Sequence, residues 1–324
     1  MFRWLVSVAL LALPIVTTFG VLLNWAAINH AGGRPLPFSE HGGTDGLTPS
    51  ADFVEMRCDE SFGITSISKG NQEFSINANP WGWQKGQPGA ICILVNKFGN
   101  ETNATAHGAP PVFNVTWQYT KASGTQNVRA YPNALVKNKN LPVQLGRINK
   151  FELDVEWHFS SKNDSVVEIS RDHAIEKDVS ANVAIDMFLD KEASKSGSSE
   201  KAAFEVMVWF ADYGKTAWPI GKHSVDDRGE SAVKLNGTEF RLFTGRNTNT
   251  KREQLVFTWL ATQNTNKFNG SLLPLMNAIF AKGNATWPQK TDYLGHFAFG
   301  QEAYQSSENV TFSVPQLVVD IESS

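Results

Sequence analysis

Cysteine is nearly absent: the 324 residues include only Cys58 and Cys92. That scarcity excludes a disulfide-dense miniature scaffold, so the chain must hold itself together by packing. No run of Lys or Arg occurs and the formal net charge is −3, which excludes nucleic acid as a partner class. The seven His show no metal-ligand spacing, and no Gly-rich phosphate loop, Ser nucleophile elbow or Cys nucleophile arrangement is present. No metal and no cofactor is therefore expected. Internal repeats are also missing, and nothing divides the bulk of the chain into two domains.

What is present first concerns compartment. Arg3 precedes an apolar stretch from Trp4 to Ile28, interrupted only by Ser7, Thr17, Thr18 and Asn24. Signal-peptide cores run to roughly 7–15 residues and a membrane span needs about 20, so residues 1–28 suit either a cleaved signal peptide or a signal-anchor helix. With Arg3 before the stretch and no Lys or Arg after it until Arg34, an uncleaved anchor would leave the C-terminal bulk outside. Residues 29–52, rich in Gly and Pro, read as a stem or linker. Eight Asn-x-Ser/Thr sequons begin at Asn100, Asn103, Asn114, Asn163, Asn236, Asn269, Asn284 and Asn309. Together these features predict a glycosylated secreted or cell-surface protein, expected to be a monomer. In an oxidising compartment a disulfide is the default for Cys58 and Cys92.

From residue 53 onward, short alternating apolar runs are separated by turn residues. Examples are Ala90 to Val95, Phe113 to Tyr119, Phe151 to Phe159, Asn182 to Leu189, Phe204 to Phe210, Leu255 to Thr262 and His296 to Tyr304. This pattern predicts an all-β domain over 53–324, a sandwich or jelly roll. One exception, Ser271 to Lys282, places Leu272, Leu275, Met276, Ile279 and Phe280 at helical spacing, with Ser271 as N-cap and Gly283 as stop. Residues 191–201, dominated by Lys, Ser, Gly and Glu, read as a mobile loop between two strands.

Alternation locates the candidate chemistry. In Phe204-Glu205-Val206-Met207-Val208-Trp209-Phe210 the Phe and Val side chains share one face, and Glu205, Met207 and Trp209 share the other. A hairpin across the 191–201 loop would bring Asp186 onto the face of Glu205, where one carboxyl raises the proton affinity of the other. Glu302 follows the same phase as His296 and Ala298, and Gly300 marks either a bulge or a close backbone approach to a ligand. Two glutamates on one sheet face suit glycoside hydrolysis, which needs a nucleophile or base and an acid. The competing reading is plain: a Glu on an alternating strand is usually the solvated face of an antiparallel sheet. Trp81 and Trp83 are open between core, rim and sugar platform, and His296 between structural and functional roles.

These residues are similar to a known family. Phe204 to Phe210, followed by Asp212-Tyr213-Gly214 and Trp218-Pro219-Ile220-Gly221, resembles the nucleophile strand and following loop of glycoside hydrolase family 12. Asn79-Pro80-Trp81-Gly82 resembles that family's Asn-Asn-Leu-Trp-Gly segment, and Tyr131-Pro132-Asn133 its Tyr-Pro-Asn turn. Phe299-Gly300-Gln301-Glu302-Ala303-Tyr304 resembles Phe-Gly-Thr-Glu-Pro-Phe, which holds the acid/base.

The resemblance implies a concanavalin-like β-jelly roll of two antiparallel sheets with one α-helix. It implies a retaining endo-β-1,4-glucanase or xyloglucan-specific endoglucanase acting on a β-glucan polysaccharide. Glu205 would be the nucleophile, Glu302 the acid/base and Asp186 the assisting carboxylate. Trp81 would stack on glucose, with Asn182, Met207 and Trp209 also binding substrate, and Cys58–Cys92 would match the family disulfide. Two alternatives share these features: a non-catalytic β-glucan-binding jelly roll and a cell-wall transglycosylase. Pro80 and Gln301 depart from the family pattern, and residues 161–180 are longer and more charged.

Overall fold

The computed structural model describes residues 54–324 apart from residue 62 and segments 68–71, 97–112, 123–126, 162–167, 223–227 and 249–252. The leader 1–28, the stem 29–52 and the sequons at Asn100, Asn103 and Asn163 lie outside the described residues. The first half of the fold comprises β1 (Val54–Cys58), β2 (Ile64–Ile67), β3 (Gln72–Asn77), β4 (Gly89–Asn96), β5 (Phe113–Tyr119), β6 (Asn133–Asn138), β7 (Val143–Gln144) and β8 (Ile148–Ser161). Helix α1 (Arg171–Glu176) precedes β9 (Ser180–Asp190), β10 (Phe204–Tyr213), β11 (Ser231–Leu235), β12 (Thr238–Asn247), β13 (Gln254–Ala261) and β14 (Lys267–Ser271). Helix α2 (Leu273–Ala281) leads to β15 (Tyr293–Gly300), β16 (Ala303–Gln305) and β17 (Val310–Ser323).

The strands form two sheets. One is six-stranded, in the order β1-β4-β5-β17-β8-β14. The larger runs β11-β12-β13-β10-β9-β15-β6-β3-β2, with β16 on β9 and β7 on β15. Their facing sides make the main core. Phe113, Val115, Trp117, Trp157 and Phe159 come from the first sheet, and Val183, Ile185, Val206, Val208, Phe297 and Phe299 from the second. This is the expected jelly-roll sandwich, with Cys58 and Cys92 joined as a disulfide between β1 and β4.

Three expectations are corrected. The sheets are not wholly antiparallel, because β10 and β13 pair in parallel. After β10 the chain crosses to the sheet edge and returns inward through β11 and β12, so β13 arrives in the direction of β10. A second helix, α1, is present, capped by Ser170, whose hydroxyl accepts from His173 N–H at 3.1 Å. At six residues it is too short for its periodicity to be read. Ser271 ends β14, opposite Glu152 of β8, and its hydroxyl accepts from Leu273 N–H at 3.4 Å, so it caps α2 as expected, one residue before the already helical Leu272. Pro274 does fall in the first turn, and Gly283 ends the helix at φ 64°.

Residues 191–201 form a fixed series of turns. The Asp190 carboxylate accepts from Glu192 N–H and Ala203 N–H, both at 2.9 Å, and Ser196 is fully buried against Gly295. This pinned connection sets the β9–β10 register, placing Glu205 opposite Phe188 and Met207 opposite Asp186.

Candidate active site

The outward face of the larger sheet is not simply solvated. Ala184, Met207, Trp209, Phe243, Leu260 and Tyr304 form a second cluster there, and Ala217 from the loop after β10 packs onto it. Every residue of β9 is buried. Asp186 and Glu205 stand on this face, in adjacent strands, as alternation predicts.

Burial is the main cause of the unusual acidity here. Glu205 is raised from 4.5 to about 7, first by burial and then by the negative charge of Glu302, while a hydrogen bond from Asp186 lowers it. Asp186 is raised well above the usual carboxylate range by burial, by the charges of Glu205 and Glu302, and by its hydrogen bond to Glu205. Its Oδ1 is sealed from solvent with no hydrogen-bond partner, a setting that penalises the ionised form. Asp186 therefore keeps the shared proton and donates a hydrogen bond to Glu205. Glu302 is also raised by burial, with Tyr304 and Asn182 opposing. All three carboxyl groups are thus close enough to feel one another, and the charges acting within the group are negative.

Glu302 reaches this face differently from the expected continuous strand. Regular pairing stops between β15 and β16, and Gln301 and Glu302 occupy the break. Gln301 is fully buried and turns inward, where its Oε1 accepts from the Trp117 indole N–H at 2.7 Å across the sandwich. Glu302 turns outward. Its backbone N–H donates to Asn182 Oδ1 at 3.0 Å, and its carbonyl accepts from Asn182 N–H at 3.1 Å. Its Oε2 accepts from Tyr304 O–H at 2.9 Å and from Asn182 Nδ2. Gly300 is explained by backbone rather than ligand: a Cβ there would lie 2.1 Å from Pro132 O.

The remaining expected residues divide. Trp81 is 55% exposed, which places it at the surface, and Trp83 is 7% exposed within the main core, which makes it a core residue. Trp81 is tied to the segment carrying Glu302: Gly82 N–H donates to Arg129 O at 3.0 Å, and Arg129 N–H donates to Ala303 O at 2.8 Å. Asn182 has no exposed surface, so it is a partner of Glu302 and not a surface for sugar. Met207 and Trp209 are almost wholly buried and form the floor, with the Trp209 indole N–H on Met207 Sδ at 3.4 Å. His296 stacks on Phe188 at 4.7 Å between ring centres, and burial depresses it to about 4, so it is a neutral structural side chain.

Three contributors escaped the sequence reading. Tyr131 O–H donates to Ala184 O at 3.2 Å and Ala298 O at 3.1 Å, bridging β9 and β15 beside the carboxyl groups. Trp218 is 42% exposed beside the second cluster, with Lys222 Nζ 4.6 Å from its ring centre. Tyr304 is one of five tyrosines, and only its hydroxyl bond to Glu302 distinguishes it. Among the described residues, no group of three or more His, Cys, Asp or Glu side chains is arranged to hold a metal ion.

Comparisons with known proteins bear on the family and the fold. Residues 72–322 match the family described as Glycosyl hydrolase family 12. A probable xyloglucan-specific endo-beta-1,4-glucanase A of Aspergillus clavatus is 25% identical over 248 residues, 76% of this chain and 84% of the relative. An inactive glycoside hydrolase, XLP1, of Phytophthora nicotianae is 27% identical over 204 residues, 62% of this chain and 68% of the relative. Among solved structures, Trichoderma harzianum endoglucanase 3 superposes with a TM-score of 0.61 at 22% identity, covering 83% of this chain and 98% of that one. The last likeness bears on fold alone.

Proposed function

The chain belongs to glycosyl hydrolase family 12, and from that premise we propose that Glu205 is the nucleophile, Glu302 the acid/base and Asp186 the assisting carboxylate. The protein is a glycosidase that hydrolyses β-1,4-glucans internally with retention of configuration. Xyloglucan is the substrate we favour, in line with the name of the Aspergillus clavatus relative.

Retention follows from two successive inversions. In the first, a Glu205 oxygen bonds to the anomeric carbon as the bond to the leaving glucan oxygen breaks, and that oxygen takes the proton of Glu302. In the second, water attacks the anomeric carbon, Glu302 takes its proton, and the ester to Glu205 breaks to restore the carboxylate. Asp186 holds Glu205 by a donated hydrogen bond, steadying its charge between turnovers. Trp81 offers an exposed indole for a pyranose ring, and Trp218 offers another.

The observation that carries this reading is the hydrogen-bonded Asp186–Glu205 pair within the electrostatic reach of Glu302. Incubating purified protein with xyloglucan, carboxymethyl-cellulose and mixed-linkage β-glucan tests it, with reducing ends and first-formed anomer followed by NMR. Release of the β-anomer first is expected; release of the α-anomer first would refute double displacement. The inactive relative raises a second reading, glucan binding without turnover. Tight binding to the same glucans with no new reducing ends would establish it.

Export through the secretory pathway belongs to the same proposal. Its supports are the Cys58–Cys92 disulfide and the sequons. Among the described residues, no helix is long and apolar enough to cross a membrane.

A further inference from the structure

We propose that Tyr304 is a positioning residue that biases Glu302 toward its ionised form, and that Glu302 moves its proton through Oε1. The inference rests on the assignment of Glu302 as acid/base. It starts from an asymmetry at that carboxyl group. Tyr304 O–H, at 2.9 Å, and Asn182 Nδ2 both donate to Oε2. Two donors on one oxygen leave it no geometry for carrying a proton, so the exchangeable proton belongs to Oε1.

The two donors differ in kind. Asn182 also holds Glu302 by its backbone N–H and carbonyl, so its amide fixes the position of the whole residue. Tyr304 bonds the Glu302 carboxylate through its hydroxyl, while the residue is 6% exposed and packs with Ala184, Met207 and Trp209. The segment that Glu302 resembles ends in Phe, which would fill the ring's space and supply no donor. The hydroxyl is therefore separable from the fold.

Its chemical effect follows from the environment. The groups facing Glu302 are Asp186 on β9, Glu205 on β10, Tyr131 before β6 and Tyr304 itself. Burial raises the proton affinity of Glu302, and the hydroxyl is the first of the two donors that counter it. Burial and the neighbouring carboxylates push the phenol well above its ordinary range, so it keeps its proton and remains a donor. A donor that favours the carboxylate helps the second step, in which Glu302 must accept a proton from water, at the expense of the first.

The test compares wild type with Tyr304→Phe by titrating Glu302 through its 13C-labelled carboxyl signal, assigned by its loss in Glu302→Gln. The account expects Tyr304→Phe to raise the midpoint by about 0.5–1 pH unit. It also expects slower deglycosylation on a dinitrophenyl β-cellobioside, by about 3–10-fold at acidic pH. Should Tyr304→Phe fail to fold, placing 3-fluorotyrosine at 304 gives the opposite sign: its more acidic hydroxyl should lower the midpoint. An unchanged or oppositely shifted midpoint would overturn the role of Tyr304. Failure of the acid/base assignment looks different: Glu302→Gln would then hydrolyse xyloglucan like wild type and form no glycosyl azide when azide is added.

Discussion

Strands β8 and β10 carry the same pattern and live in different worlds. On β8, Phe151, Leu153, Val155, Trp157 and Phe159 face the core, and Glu152, Asp154, Glu156 and His158 face outward. Those outward carboxylates meet water and partners: Lys267 Nζ lies 3.2 Å from Glu156, and Gln316 Nε2 2.6 Å from Asp154. On β10 and its neighbour β9, the outward face is an apolar cluster in which Phe243, Leu260 and Tyr304 of neighbouring strands pack beside Met207 and Trp209, and Ala217 of the following loop packs onto them. Asp186 and Glu205 there meet other carboxyl groups instead of cations. Alternation with an acid on the polar phase thus describes two opposite electrostatic situations. What separates them is the apolar packing on the second face, supplied by strands distant in sequence.

The comparison can be broken first at its centre. Glu205→Gln should lower turnover of xyloglucan by about 10⁴-fold or more, because the covalent step loses its nucleophile. Reducing-sugar assays measure the loss, and a thermal melt at neutral pH should show the variant at least as stable as wild type. The two tryptophans sharpen the contrast between exposed and buried. Trp83→Ala should cost about 3–5 kcal/mol of stability by leaving a core cavity. Trp81→Ala should melt like wild type yet lose about tenfold in kcat/KM on polymer, chiefly through KM.

A third, smaller effect concerns pH. The folded-state value of Glu205, about 7, lies above its ordinary 4.5, so the folded protein holds this proton more tightly than the unfolded chain. Its contribution to stability is complete below about pH 4.5 and is lost as pH rises through 7. Asp186 and Glu302 are shifted in the same direction. Denaturant melts should therefore show a loss on the order of 3 kcal/mol between pH 4.5 and 8, reduced in Glu205→Gln. The smallest effect belongs to β8. Glu156→Gln should change stability by no more than about 0.5 kcal/mol at either pH, since a solvent-screened pair contributes little.

Much of the fold is legible in residue order because a sandwich needs one buried face per strand. Phe113 to Tyr119 is read to its ends, and the β9–β10 hairpin follows from its short connection. The parallel β10–β13 contact is not legible, since it depends on where a three-strand excursion returns. Glu302 shows the same limit at the site. Its phase relative to Phe297 and Phe299 suggests a continuous strand, whereas the buried Gln301–Trp117 bond and the Asn182 contacts stop regular pairing and turn the next residue outward. Asn182 is misread for a related reason: a polar residue on a cleft strand suggests a sugar ligand, and only coordinates reveal that it is consumed by Glu302. The roles of Glu205, Glu302 and Asp186 rest on motif resemblance, because periodicity alone treats Glu205 and Glu156 alike.

The central claim is that Glu205 forms a covalent bond to the sugar. Reaction with an activated 2-deoxy-2-fluoro β-cellobioside, followed by peptide mass spectrometry, tests it most directly. A single fluorocellobiosyl group on the peptide spanning residues 204–210, mapped to Glu205 and released on transfer to an acceptor, is the predicted result. Label on another residue, or hydrolysis of this reagent with no adduct at any time, would contradict it.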